Sequence, residues 1–250
     1  LPWVKDLVRV NKSFIVKRSL SMREMLLASK LLSEYMHYVI NDKHDNVWIA
    51  QREGRAKDSN DRTQEAILKM MVMGGKGSVV DSLLDLHLVP LAISYEYDPC
   101  DFLKAQEFQL KRDIPGWKKS AQDDILSMQT GIMGYKGHIH YHAATCIDAW
   151  LRELPADTPK ADIFRIIAEH IDREIHAHYQ LFPSNFVALD MLQDNAAHAD
   201  KYSAADKAQF EKYLAGQLAK IQIENKDEAY LRECILKMYA NPAINQLALA

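Results

Sequence analysis

The sequence predicts an α/β fold, with a central, mostly parallel or mixed sheet flanked by helices and an all-helical region at the C-terminal end. Three observations predict it. Residues 47–143 alternate short apolar runs with stretches of helical periodicity, the pattern of strands joined by crossover helices. Leu88-Val89-Pro90-Leu91-Ala92-Ile93-Ser94-Tyr95 is almost continuously apolar, as a strand covered on both faces is. From Ala161 onward the pattern is nearly all helical. An α/β core over 1–150 and a helical region over 151–250 are therefore expected.

Taken in order, Leu1 to Val10 reads as a short helix or turn, and Asn11-Lys12-Ser13 as a turn. Phe14-Ile15-Val16 is a brief strand run that ends in the cations Lys17 and Arg18. Ser21 caps a helix from Met22 to about Ile40, with Glu24 placed to complete a capping box. Met25, Ala28, Leu32, Met36 and Val39 form its apolar stripe. After a polar loop at 41–46, residues 47–51 read as a strand that breaks into charge around Gly54. A helix over Thr63–Met73 stops at Gly74-Gly75-Lys76-Gly77-Ser78. Gly77 separates the lysine from the serine there, so the run lacks the phosphate-loop pattern and reads as a plain loop. A short helix over 78–86 leads into the apolar strand, whose Pro90 cannot donate to a ladder and so belongs at an edge or opening. Asp98 and Pro99 start a helix running to about Arg112, and Ser120 starts another running to about Thr130. His138 to Ala143 reads as the next strand. Helices follow over 161–180, after Pro183, and over 204–223 and 227–240. Met70, Met71, Val72 and Met73 form an apolar group before Gly74, better suited to core packing than to a membrane-facing lip.

Composition narrows the class. The 250 residues are 48% hydrophobic and 26% charged, enough apolar surface for a real core. A net charge of −3 gives no global attraction to nucleic acid, so a basic site must be local. Cys100, Cys146 and Cys234 are odd in number and widely spaced, which favours free thiols over a disulfide framework. No run of ~18 apolar residues predicts a transmembrane helix.

Histidine offers two metal patterns. His138, His140 and His142 alternate and share a strand face. Alternate strand positions lie ~7 Å apart, too far for the outer pair to reach one metal through ~2 Å bonds. His170, Glu174 and His178 share a helix face, but charged neighbours make it a solvated stripe. No metal is expected at either place. A serine nucleophile would need a Gly-x-Ser-x-Gly elbow, which the sequence lacks.

The strand ends carry the remaining chemistry: Lys17-Arg18, Arg52-Glu53-Gly54-Arg55 and Val89-Pro90. Arginine holds a phosphate or carboxylate in a fixed two-donor fork. In order along the chain these three stretches resemble the second, third and fourth blocks of the glycerolipid O-acyltransferases that make lysophosphatidate or phosphatidate. Phe14-Ile15-Val16-Lys17-Arg18 resembles the strand ending in Arg, Glu53-Gly54-Arg55 the centre of the Phe-Pro-Glu-Gly-Thr-Arg block, and Val89-Pro90-Leu91-Ala92-Ile93 the Val-Pro strand. Tyr95-Glu96-Tyr97-Asp98-Pro99-Cys100-Asp101 and Gly131-Ile132-Met133-Gly134-Tyr135-Lys136-Gly137 are similar to a bacterial branch of that family. The chain departs from the third block, with Gln51-Arg52 where the family has Phe-Pro and with Arg55 one place early. The family's first block, His-x4-Asp, is expected upstream of Leu1. His37 and Asp42 match its spacing but fall out of order, inside a predicted helix.

The resemblance implies transfer of a fatty acyl group from acyl-CoA or acyl-carrier-protein to the hydroxyl of glycerol 3-phosphate or lysophosphatidate. It places Glu53 and Pro90 in catalytic blocks and gives the acceptor phosphate to Lys17, Arg18, Arg52, Gly54 and Arg55. It calls for no cofactor and no metal. Partners would be the acyl donor, the acceptor and membrane lipid met peripherally from the cytoplasmic side, with no nucleic acid. The alternative is a phosphate- or lipid-binding domain without turnover.

Overall fold

A computed structural model of the chain describes residues 6, 10, 14, 20–52, 54 and 56–249. Helix accounts for 58% of the chain and strand for 4%, which overturns the expected α/β architecture. Among the described residues the only sheet has two strands, β1 (Leu91–Tyr95) and β2 (Ile139–Ala143), paired antiparallel with Leu91 opposite Ala143 and Tyr95 opposite Ile139. Two causes explain the correction. Residues 47–51 have strand-like composition, but Trp48 is 75% exposed and the segment joins no ladder; a strand without a neighbour leaves its backbone groups to water. The pair β1–β2 also keeps one face wet, with Tyr95, Ile139 and Tyr141 exposed, as antiparallel sheets tolerate and parallel ones do not. The expected strand at 14–16 falls largely outside the described residues; Phe14 has no regular structure.

The contacts divide the chain into two compact units. The first comprises Leu1–Glu53, Gln64–Val89 and Cys146–Ala168, and the second Gly54–Thr63, Pro90–Thr145 and Glu169–Ala250.

In the first unit, α1 (Met22–Asn41) begins with the expected capping box: Ser21 Oγ accepts from the Glu24 amide, and Glu24 Oε2 accepts from the Ser21 amide at 2.9 Å. Its inner face is Ser33, Met36 and His37, whereas Met25, expected in the stripe, is exposed. The next helix, α2 (Glu65–Met71), buries Leu68 and Met71 and runs into a 3-10 turn over Val72–Gly74. Ser33 Oγ donates to the Met71 carbonyl at 2.6 Å and accepts from the Gly74 amide at 2.8 Å, pinning that turn to α1. A Cβ on Gly74 would lie 2.3 Å from the Glu34 amide nitrogen, so only glycine allows this approach. Ser78 and Asp81 form a second capping box at α3 (Val79–Leu84), which buries Leu83. The short α6 (Asp148–Arg152) packs on α3 and buries Leu151.

In the second unit, α4 (Asp101–Asp113) and α5 (Ala121–Met133) lie between the two strands in sequence. Ser120 and Asp123 form the cap of α5. After α7 (Ile163–Ala177), which runs across the division, come α8 (Pro183–Gln193), α9 (Ala204–Ala219) and α10 (Glu228–Leu247). Their shared core includes Val187, Leu189, Phe210, Leu214, Leu231, Ile235 and Met238, with Tyr97 and Ala105 from the β1–α4 region. Ala240 and Ala243 are wholly buried on α10, and their small side chains let it sit close against its neighbours. Among the described residues no helix is long and apolar enough to cross a membrane.

Candidate functional site

Of the residues assigned to the phosphate site and catalysis, Lys17, Arg18, Glu53 and Arg55 lie outside the described residues. Arg52 belongs to the first unit, and Gly54 and Pro90 to the second. Gln51 and Arg52 occupy a bend and are half-buried. The Gln51 carbonyl accepts from the Gln64 amide at 2.9 Å, which ties the bend to the start of α2. Its side-chain Nε2 is buried and has no hydrogen-bond partner among the described residues. Such a donor costs about 1–3 kcal/mol relative to a satisfied one, and any ligand oxygen that accepts from it recovers that energy.

Gly54 has φ +75°, a left-handed conformation that side chains resist, and open space around it. Lys57, one of the cations clustered near Gly54, is committed elsewhere: it pairs with the buried carboxylate of Glu107, which also takes Lys111 at 2.9 Å. Burial pushes the Glu107 carboxyl up, but the two lysines outweigh it and hold it below the usual range. Pro90 is buried, and its carbonyl accepts from the Ala144 amide at 2.9 Å. It thus ends the ladder of β1 on the side where it needs no donor.

The run Tyr95 to Asp101 forms a polar network inside the second unit. Asp101 is wholly buried; its carboxylate accepts from Tyr213 at 2.7 Å, Tyr239 at 2.8 Å and the Gln217 amide. Burial raises its pKa to about 6 despite these donors, with Asp98 adding like-charge repulsion. Glu96 Oε2 accepts from the His138 amide and meets His138 Nδ1 at 2.7 Å.

The predicted histidine patterns do not converge on a metal position. His138 lies before β2, and His140 and His142 share a face of it with ring centroids 6.4 Å apart. His142 instead stacks flat on His178 at 4.1 Å, while His178 Nδ1 lies 2.7 Å from the Glu174 carbonyl. His37 is buried in α1 with Nε2 3.1 Å from the Met71 carbonyl, and Asp42 caps the far end of the same helix. Residues five apart on a helix point to different sides, so the two form no dyad. The 74–78 loop is also occupied: a Cβ on Gly75 would strike Ser82 Oγ, so glycine there serves packing. Met71 is buried in the core, and Met70, Val72 and Met73 are half-buried.

One cluster escaped the sequence reading. His87, Cys146 and Asp148 place their ligating atoms within 4.8 Å of one another, and among the described residues no other such group of three appears. All three belong to the first unit. His87 follows α3 with φ 48°, and Cys146 and Asp148 stand at the start of α6. The Ile147 amide donates to the Leu88 carbonyl at 3.0 Å, which sets the two segments side by side. His87 Nδ1 lies 2.6 Å from Asp148 Oδ2, while Asp148 Oδ1 is buried with no hydrogen-bond partner of good geometry among the described residues. Burial pushes the Cys146 thiol up. A single histidine and a Cys-x-Asp pair so far apart in sequence match no ligand-spacing rule; only the Leu88–Ile147 register reveals them.

No family model, curated protein or solved structure matches the chain.

Proposed function

We propose that the chain serves O-acyl transfer to a glycerophosphate acceptor, with the bend at Gln51 and Arg52 holding the acceptor phosphate. The observation that carries this reading is the buried, unpartnered Gln51 Nε2 beside Arg52. It is a donor for which the described residues supply no acceptor, in the stretch that resembles the family's third block. The order of the three resembling stretches supports the same reading, and so does Pro90 at the head of β1. Arg52 supplies the charge-assisted contact and Gln51 the neutral one, so the phosphate is positioned while its neighbouring hydroxyl attacks the thioester carbonyl. The donor is acyl-CoA or acyl-carrier-protein. Ile132, Met133 and Tyr135, exposed at the end of α5, suit a peripheral contact with lipid from the cytoplasmic side.

The second reading is binding without turnover, in which the same bend holds a phosphate and no acyl group is moved; His37, held to the Met71 carbonyl, is no base for either reading.

Lysophosphatidate binding, measured by titration calorimetry, separates the readings when paired with an acyl-CoA transfer assay. Arg52→Ala removes a charge-assisted hydrogen bond of about 1.5–3 kcal/mol and should weaken binding at least tenfold. Binding with transfer supports the enzyme, and binding without transfer supports the second reading. Absence of binding, or wild-type affinity in both Arg52→Ala and Gln51→Ala, overturns both.

A further inference from the structure

We propose that His87, Cys146 and Asp148 form a binding site for a borderline-soft divalent cation of the zinc class. Imidazole, thiolate and carboxylate are the ligand types zinc takes, and the thiolate argues against magnesium and calcium. The ligand atoms already lie within 4.8 Å of one another, although one comes from the turn after α3 and two from the start of α6. The buried Asp148 Oδ1 adds to this: among the described residues it has no hydrogen-bond partner of good geometry, and the Cys146 thiol beside it is the one donor in reach. A cation satisfies it directly.

The geometry requires one adjustment. His87 Nδ1 and Asp148 Oδ2 are 2.6 Å apart, joined by a proton. Two ligands bound tetrahedrally through ~2.0 Å bonds stand ~3.3 Å apart, so the pair must open by roughly 0.7 Å. His87 can make that movement because its side chain is 62% exposed. The neutral imidazole moves its proton to Nε2 and coordinates through Nδ1. Cys146 loses its proton to solvent and binds as thiolate. Asp148 binds as carboxylate, the thiol proton is the one released, and the two ligand charges neutralise the cation. A fourth position is open to water on the His87 side, the arrangement of a three-ligand site.

The test uses the full chain, stripped with chelator and titrated with Zn²⁺ against a chromophoric competitor, then with Co²⁺ followed by absorbance. One equivalent of Zn²⁺ should bind, and Co²⁺ should give a thiolate charge-transfer band. Cys146→Ser should abolish the band, and His87→Ala should weaken Zn²⁺ binding at least tenfold. Cys100→Ser should leave both unchanged. His87→Ala changes an exposed side chain, so its result stands even if Cys146→Ser folds poorly. No stoichiometric binding would overturn the proposal. So would binding indifferent to His87→Ala, or binding lost instead in His142→Ala.

Discussion

Asp101→Asn should change how stability responds to pH, and the sign follows from burial. In the unfolded chain this carboxyl has an ordinary pKa of 3.8, and in the folded chain about 6. Between those values the unfolded chain releases a proton that the folded chain keeps. Stability from this group is therefore fully present below the lower value and is lost as pH rises through the upper one. About two pKa units at 1.36 kcal/mol each give roughly 3 kcal/mol. Tyr213 and Tyr239 both reach the same carboxylate oxygen, Oδ2, so the asparagine carbonyl can keep both while its amide takes the Oδ1 side that faces Gln217. Urea unfolding of wild type and variant across about pH 4 to 7.5 isolates the group, since other carboxylates cancel in the difference. Wild type should lose about 2.5 kcal/mol relative to the variant over that range, since a little is already lost by pH 4, and most of it goes below about pH 6.5. Parallel profiles would refute the raised pKa and the buried ionisation with it.

Asp190 should show the opposite sign. Hydrogen bonds from His198 and Tyr202 outweigh the effect of burial and hold its carboxyl below the usual range. Its stabilisation is thus present above the ordinary carboxylate pKa and lost as pH falls through the lowered one, and His198→Ala should move acid unfolding to higher pH in circular dichroism. Gly74→Ala should destabilise by about 1–3 kcal/mol or more in urea melts, because the new methyl meets α1 backbone that cannot yield. Asn185→Ala should cost about 2 kcal/mol or more. It strands the Phe182 amide, which the side chain accepts from at 2.7 Å, and removes the side-chain donor to the Tyr239 carbonyl at 2.8 Å.

Local signals in the sequence were reliable where the chain supplies its own partners. Ser21, Ser78 and Ser120 each precede an acidic residue three places on, and capping needs nothing beyond that turn. The strand at 139–143 and the C-terminal helices were legible for the same reason, through alternation and 3.6-residue periodicity. Residues 47–51 were misread because strand composition does not state whether a neighbour exists, and Trp48 has none. Parallel pairing was inferred from apolar Leu88–Tyr95, but only Ala92 and Ser94 of β1 are buried. The glycines at 74 and 75 read as a plain loop, and the close approaches to Glu34 and Ser82 that require them are announced by no local pattern. The His87–Cys146–Asp148 cluster was invisible for a similar reason, since its proximity depends on a register set far along the chain.

The division of the chain has a consequence for how it can fold. The backbone passes between the two units at 53/54, 63/64, 89/90, 145/146 and 168/169, so neither is a continuous stretch. The excursion over 90–145 is closed at its base by backbone bonds from Ala144 to Pro90 and from Ile147 to Leu88. Closing so long a loop costs entropy before any contact compensates, which slows folding and makes that zipper a natural rate-limiting event. A cation bridging His87 to Cys146 would sit at the neck of the same loop and act as a reversible clasp. It would speed refolding by joining ends that the chain otherwise brings together by diffusion.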